Sequence, residues 1–432
     1  MDASTNNLTT VTNQLNDLGY QYVYDHRNRL VEKRIPGKGL EFIVYNKLDQ
    51  PVLTQDAVLR NNDQWLFTKY DAFGRIAYTG KYQEDASRPS LQTSLDSESQ
   101  LYETRINSTV DGETINWSNA AFPQTIDALY SVNYYDNYSF NFAGTTPIAA
   151  FGTIVTGTKT KGLSTGSMVR VLDTSPVKWV KTISYYDEKG RAIYGISDNE
   201  FLDTQDIVQS EFDFTGAVLK TRTYHKKGTS TPIVTVDTFE YDHMGRFLNQ
   251  YQCIGDNTLP NTCSTSELIV ANNYDELGQL GSKKVGNTEL APLQTVDYTY
   301  NVRGWLKNIN QDANSDNDLF NFTVMYNNPT SGIALFNGNI SQTSWNTLSN
   351  NNTGNPVSNN YTYTYDALNR ITSAVDDTGN YNLTNVSYDK NGNITDLERQ
   401  GHTAIDGNGA VTGYGIMDDL TYSYDSGNKL MK

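Results

Sequence analysis

The stretch Tyr70-Asp71-Ala72-Phe73-Gly74-Arg75-Ile76 constrains this chain more than any other, because it recurs along most of the 432 residues. Aligned on the tyrosine, Tyr24-Asp25 leads to Asn28-Arg29-Leu30, Tyr186-Asp187 to Gly190-Arg191, and Tyr241-Asp242 to Gly245-Arg246-Phe247. Tyr274-Asp275 leads to Gly278-Gln279-Leu280, Tyr365-Asp366 to Asn369-Arg370-Ile371, and Tyr388-Asp389 to Gly392-Asn393-Ile394. Looser copies start at Tyr45, Phe212, Tyr300 and Tyr424. In all eleven, the fourth residue after the aromatic is Gly, Asn or Asp, the types that best tolerate a positive φ at the end of a type I turn. The Asp that opens the turn can accept from backbone amides two residues on. The aromatic before it and the apolar residue after it then lie on paired strands. One copy would be ordinary hairpin chemistry; eleven with the same offsets make a repeat.

The array predicts an all-β chain of repeated β-hairpins, one unit being about two strands and two turns. Helical periodicity is nearly absent, and β-branched and aromatic residues dominate. Tyr occurs 30 times against 15 Phe and 5 Trp, which suits many half-buried faces with a polar tip. By the turn signature, 1–19 is a flexible lead-in and 20–85 carries repeats. Residues 86–182 hold degenerate repeats or an insertion, with 86–100 read as a surface loop. Repeats resume over 183–432, and the array looks cut off at its C-terminal end, where no capping element is visible.

A net charge of −16 argues against a nucleic-acid or anionic-membrane surface. No apolar run is long enough to span a membrane, and no signal peptide follows Met1. Cys253 and Cys263 would close a small loop as a disulfide if the protein is exported, two free thiols being the alternative. Asp312, Asn314, Asp316 and Asp318 alternate oxygen ligands as a calcium loop does. That stretch lacks the expected Gly, and Thr323 stands where a bidentate Glu should be, so a polar hairpin loop is preferred. The four histidines and the absence of a nucleophile–base motif point to a non-enzymatic chain with no cofactor. Tyr361, Tyr363 and Tyr365 share a strand face that could stack on sugars.

Tyr-Asp-x-x-(Gly/Asn)-Arg-(Leu/Ile) is the YD repeat, and the chain resembles Rhs proteins throughout its length. Ile35-Pro36-Gly37-Lys38-Gly39 and Lys161-Gly162-Leu163-Ser164-Thr165-Gly166 resemble the large Rhs-type surface or secreted proteins of Bacteroidota-like bacteria. The resemblance implies a spiralling sheet that forms a hollow shell, as in toxin-complex C components and teneurin barrels. It implies an exported structural segment, secreted or at the cell surface, that scaffolds or encloses a toxin-type polypeptide. The implied partners are that cargo, the remaining segments of a longer Rhs chain, and a secretion machinery. No Pro-x-x-Gly-Arg-(Phe/Tyr) motif is present, so no cleavage aspartates carry over. A cell-surface adhesin that binds glycans or a protein is the alternative.

Overall fold

The computed structural model describes residues 15–256, 266–310, 318–347 and 357–431. The fold is all-β: twenty-five strands take part in antiparallel sheet pairing, and two small hairpins, within 108–115 and 149–154, stand apart from it. The chain divides into two compact units, one formed by 1–239 with 252–266 and the other by 240–251 with 267–432.

Within the first unit the ladder runs in chain order from Gln21–Tyr24 through Gln64–Tyr70 and Ile76–Gln83. It then passes to Ala128–Tyr135, Ser164–Val171 and Lys178–Tyr186, and on to Ile233–Tyr241. Residues 84–127 and 136–163 therefore leave the ladder and return to it. Side chains alternate across the strands, as a pleated sheet requires. Trp65 and Phe67 are buried on one face, whereas the intervening Leu66 is exposed. The segment 84–127 contributes Leu91, Leu95, Ile115 and Trp117 to a single apolar cluster with Val44, Leu53, Phe67, Tyr78 and Val132. An aromatic stack extends it: Tyr134 lies 6.4 Å from Trp117 and 4.4 Å from Phe140, nearly parallel to both.

The surface loop expected at 86–100 is instead a helix, Arg88–Ser97. Ser87 caps it, a proline occupies its first turn, and Leu91 and Leu95, four apart, bury against the sheet. Two apolar residues in ten gave a periodic search too little to find. Gln92 of this helix accepts from Tyr45 N at 3.1 Å and donates to Tyr45 O at 2.8 Å, standing in for a neighbouring strand. Residues 15–18 form one helical turn of the lead-in; 1–14 lie outside the described residues.

In the second unit, among the described residues, a succession of antiparallel strand pairs runs from Glu267–Tyr274 to Val411–Thr421. Its burial is different in kind. Leu268, Val324, Ala374 and Val386 are buried, beside polar Asn308, Gln342, Thr343, Asn359 and Asp376.

The turn rule holds in the backbone. Asn28, Asp49, Gly74, Gly190, Gly216, Gly245, Gly278, Gly304, Asn369, Gly392 and Asn428, each four residues after its aromatic, all have positive φ. A further turn of the same form, Asp406 to Ala410, sits in the region read only as a Gly-rich loop, with Gly409 at φ +82. It joins the two longest strands at the opposite ends from the other turns and is preceded by Ile405 rather than an aromatic. At Gly74, with φ +79, a valine would meet the left-handed penalty as well as the Gln50 side chain. Gly74→Val should destabilise the protein by about 1 kcal/mol or more, whereas Asn369→Gly should be close to neutral. Denaturant unfolding of both variants checks this; equal midpoints would refute the assignment.

Candidate functional site

The repeated side chains converge on the turns, and Asp71 shows how. Its Oδ1 accepts from the backbone N–H of Phe73 and of Arg75, both at 2.9 Å, and its Oδ2 accepts from Arg75 Nε at 2.7 Å. The backbone closes the same loop twice, Asp71 N to Arg75 O and Gly74 N to Asp71 O. Asp25, Asp187, Asp242 and Asp366 accept the same three bonds, one from the backbone N–H of Arg27, Lys189, Met244 and Leu368 and two from Arg29, Arg191, Arg246 and Arg370 respectively. At Asp389 the Asn393 side-chain amide replaces the guanidinium, and at Asp275 the two backbone bonds persist, from Leu277 and Gln279.

At Asp25, Asp187, Asp242, Asp366 and Asp389 these bonds hold the carboxyl below its ordinary range. At Asp25 burial pulls the pKa up, but the Arg29 amide and guanidinium and the Arg27 amide outweigh it and bring it to about 2. The same balance lowers Asp187 and Asp242. The Arg370 amide leads the lowering at Asp366, and the Asn393 side chain at Asp389.

Two further contacts run between neighbouring repeats. The tyrosine hydroxyl donates to the carbonyl of the first strand residue after the preceding turn: Tyr45 to Leu30 and Tyr70 to Pro51, both at 2.8 Å. Tyr274 to Phe247, Tyr388 to Ile371 and Tyr424 to Ile394 follow at 2.8 Å, and Tyr300 to Leu280 at 3.1 Å. The arginine of one turn also lies over the aromatic of the next. Arg29 covers Tyr45, Arg191 Phe212, Arg246 Tyr274 and Arg370 Tyr388, at 4.3 to 5.1 Å from the ring centres. Arg191 Nη1 reaches on to the Asp213 carbonyl at 2.6 Å. Tyr, Asp and Arg thus form one clamp, closing a turn and tying it to its neighbour.

This geometry shows two repeats that lack the turn offsets. Tyr135 donates to Ile76 O, lies under Arg75, and is followed by Asp136, which takes both Arg75 terminal nitrogens at 2.9 and 2.6 Å. Its turn is replaced by the excursion 136–163, and Ser164 then takes the position of the first strand residue, accepting from the Tyr186 hydroxyl. Tyr326 likewise donates to Leu306 O, packs on Trp305 in the arginine position, and leads through 327–339 to Ile340, whose carbonyl accepts from Tyr365. The aromatics were visible in the sequence; an excursion of any length hides the offsets that mark a turn.

The other sequence candidates do not converge. His26, His225, His243 and His402 are all exposed, and among the described residues only His225 has a carboxylate partner, Asp206. Of the calcium candidates, Asp312, Asn314 and Asp316 lie outside the described residues and Asp318 alone is described. No group of three metal-ligating side chains occurs among the described residues. Cys253 is buried and disulfide-bonded, and Cys263 lies outside the described residues. Tyr361 and Tyr363 stack at 6.3 Å, but their hydroxyls are engaged by Tyr381 O and Thr343. An open cleft of about 530 Å³ beside Phe73 is lined by Arg75, Asp136, Lys161 and Gly162, and its arginine and aspartate are already paired.

Sequence reasoning also passed over Lys69, which points to the covered face of the first unit's sheet. Its side chain and that of Glu103 are both 0% exposed and 3.0 Å apart. Burial brings the Lys69 pKa down to about 8 despite the carboxylate. Nothing in a strand sequence marks a lysine whose counter-ion arrives from a segment 34 residues away.

No family model and no curated protein matches the chain. Among solved structures it is similar to a crystal structure of TcdB2–TccC3–TEV, with 12% identity over 96% of this chain and a TM-score of 0.29. A second, TcdB2–TccC3 without its hypervariable C-terminal region, matches with 10% identity over 95% and a TM-score of 0.23. The chain spans 20% and 29% of the lengths of those chains. Likenesses this distant carry no functional argument.

Two outcomes test the clamp. Tyr274→Phe, which strips the donor from the Phe247 carbonyl, should cost about 1 kcal/mol in denaturant unfolding. Asp25, Asp187, Asp242, Asp366 and Asp389 have folded pKa values below their unfolded ones, so their contribution is complete above the unfolded value and is lost as pH falls through the folded one. Thermal stability should therefore hold from neutral pH to about 5 and decline between about 4 and 2, the window that Asp25 sets. A decline centred near the histidine range would contradict this.

Proposed function

We propose that this chain is a section of an Rhs-type YD-repeat wall, exported and non-enzymatic, whose role is to scaffold or enclose another polypeptide. The observation that carries the reading is the clamp itself. In each unit, turn after turn spends the same Tyr, Asp and Arg atoms on holding the neighbouring repeat. Such chemistry extends a sheet and leaves those groups little capacity to bind anything else. Export is supported by the disulfide at Cys253, since such bonds persist in oxidising compartments. A cargo inside a wall of this kind would meet half-buried tyrosines and polar strands, in keeping with the partly polar burial of the second unit.

Electron microscopy of the complete purified protein tests the reading. A closed cavity holding polypeptide density is the expected result. An open or empty sheet overturns enclosure, and saturable binding of defined glycans by such a sheet would favour the adhesin instead.

A further inference from the structure

The Lys69–Glu103 pair has a third member that an ordinary buried ion pair does not need. Lys69 Nζ lies 2.5 Å from Asn119 Oδ1 and 3.0 Å from Glu103 Oε1, and also donates to Ala121 O at 2.8 Å. With a C=O bond of about 1.2 Å, the amine is no farther than about 3.7 Å from the Asn119 carboxamide carbon. Tyr78 stands directly opposite Lys69 on the adjoining strand, and its hydroxyl lies 3.1 Å from the same Asn119 oxygen and 2.9 Å from Ser118 O, its nearest acceptor. Asn119 Nδ2 is turned the other way, toward Gln124 O at 2.8 Å. Glu103 is fixed by the Ala120 and Ala121 amides at 3.0 and 3.1 Å and by the Ser118 hydroxyl. Its own backbone amide donates to Tyr70 O at 2.7 Å.

A buried amine paired with a buried carboxylate, and a half-buried carboxamide in contact with the amine, are the components of amide exchange. We propose that Lys69 and Asn119 are the site of a self-catalysed intramolecular isopeptide bond, with Glu103 as its catalytic residue. The step balances without any co-reactant. Glu103 takes a proton from the Lys69 ammonium, and the freed Nζ lone pair attacks Asn119 Cγ after a rotation of the carboxamide exposes that carbon. The new C–N bond pushes negative charge onto Oδ1, toward which the Tyr78 hydroxyl, within 3.1 Å, can turn its proton from Ser118 O. Glu103 relays a proton from Nζ to Nδ2, the Cγ–Nδ2 bond breaks, and nitrogen leaves as ammonium. Three features favour the reaction over a static pair. Desolvation already weakens the lysine's hold on its proton, as activated lysines require. The carboxylate touches the reacting nitrogen. The partners are fixed near attack distance by the folded core, which replaces an encounter in solution. The product would tie strand Gln64–Tyr70 to the 84–127 segment covalently, independent of redox conditions.

Mass spectrometry of the purified 432-residue chain tests this, read both as intact mass and after proteolysis. Linked protein should be one ammonia lighter than its sequence mass and should yield a branched peptide joining Lys69 to Asn119. The sequence mass with separate Lys69 and Asn119 peptides overturns the proposal. So does an ammonia loss that maps elsewhere, such as succinimide at an Asn-Gly pair. Glu103→Ala should restore the full mass; a branched peptide that still forms would remove Glu103 from the chemistry. Because that variant leaves Lys69 unpaired and could fail to fold, Asn119→Ala provides the second arm. It keeps the ion pair and removes the electrophile, so the branched peptide should vanish while the strand signal in circular dichroism remains.

Discussion

One side-chain oxygen at the head of each turn, from Asp or, at Asn46 and Asn301, from Asn, holds this protein in register. Antiparallel strands joined by short turns can slip, and a slip of one residue exchanges the two faces of a sheet. At each aspartate turn the Oδ1 atom takes two backbone amides of the turn, fixing the residue at which the return strand begins. The register shift beside Tyr24, Tyr70, Tyr186, Tyr274, Tyr365 and Tyr388 follows from that geometry. Once the return strand is placed, its first carbonyl faces the next tyrosine hydroxyl and the arginine lies across the next ring. Each turn therefore sets the position of its successor.

The two units solve the same burial problem differently. A single antiparallel sheet has two faces and no partner layer of its own. In the first unit the excursions 84–127 and 136–163 supply one, with Trp117, Phe140 and the helix Arg88–Ser97 closing over Phe67, Tyr78 and Tyr134. Lys69 falls on that covered face by the alternation of its strand, and it is tolerated because Glu103 arrives with the covering segment. The second unit has no comparable cover among its described residues. Its burial is shared with amides and hydroxyls such as Gln342, whose Oε1 accepts from Thr330 N at 2.7 Å. Tyr suits both settings: its ring packs and its hydroxyl finds a carbonyl.

These observations change the meaning of the repeat. Asp and Arg side by side look like a reactive pair, yet every such pair is engaged within its turn and with the next one. The chemistry with reactive potential lies off the repeat, where a lysine, a carboxamide and a carboxylate meet in the core.

The sequence by itself determined the all-β class, the antiparallel hairpins, and the residues that take positive φ. Those are local properties: a turn of five residues and a two-residue strand period contain all the atoms that decide them. It also placed Asp71 and its equivalents on the turn amides. It did not show that Tyr274 belongs to Phe247 or Arg370 to Tyr388, because those contacts join residues 18 to 27 apart whose separation varies with loop length. For the same reason Tyr135 and Tyr326 read in the sequence only as degenerate copies, and Glu103 and Asn119 could not be seen as neighbours of Lys69. Which faces are covered, which charges are buried and which groups come within bonding distance were decided by tertiary structure alone, since only the pairing of successive strands and the folding of the covering segments onto the sheet bring those residues together.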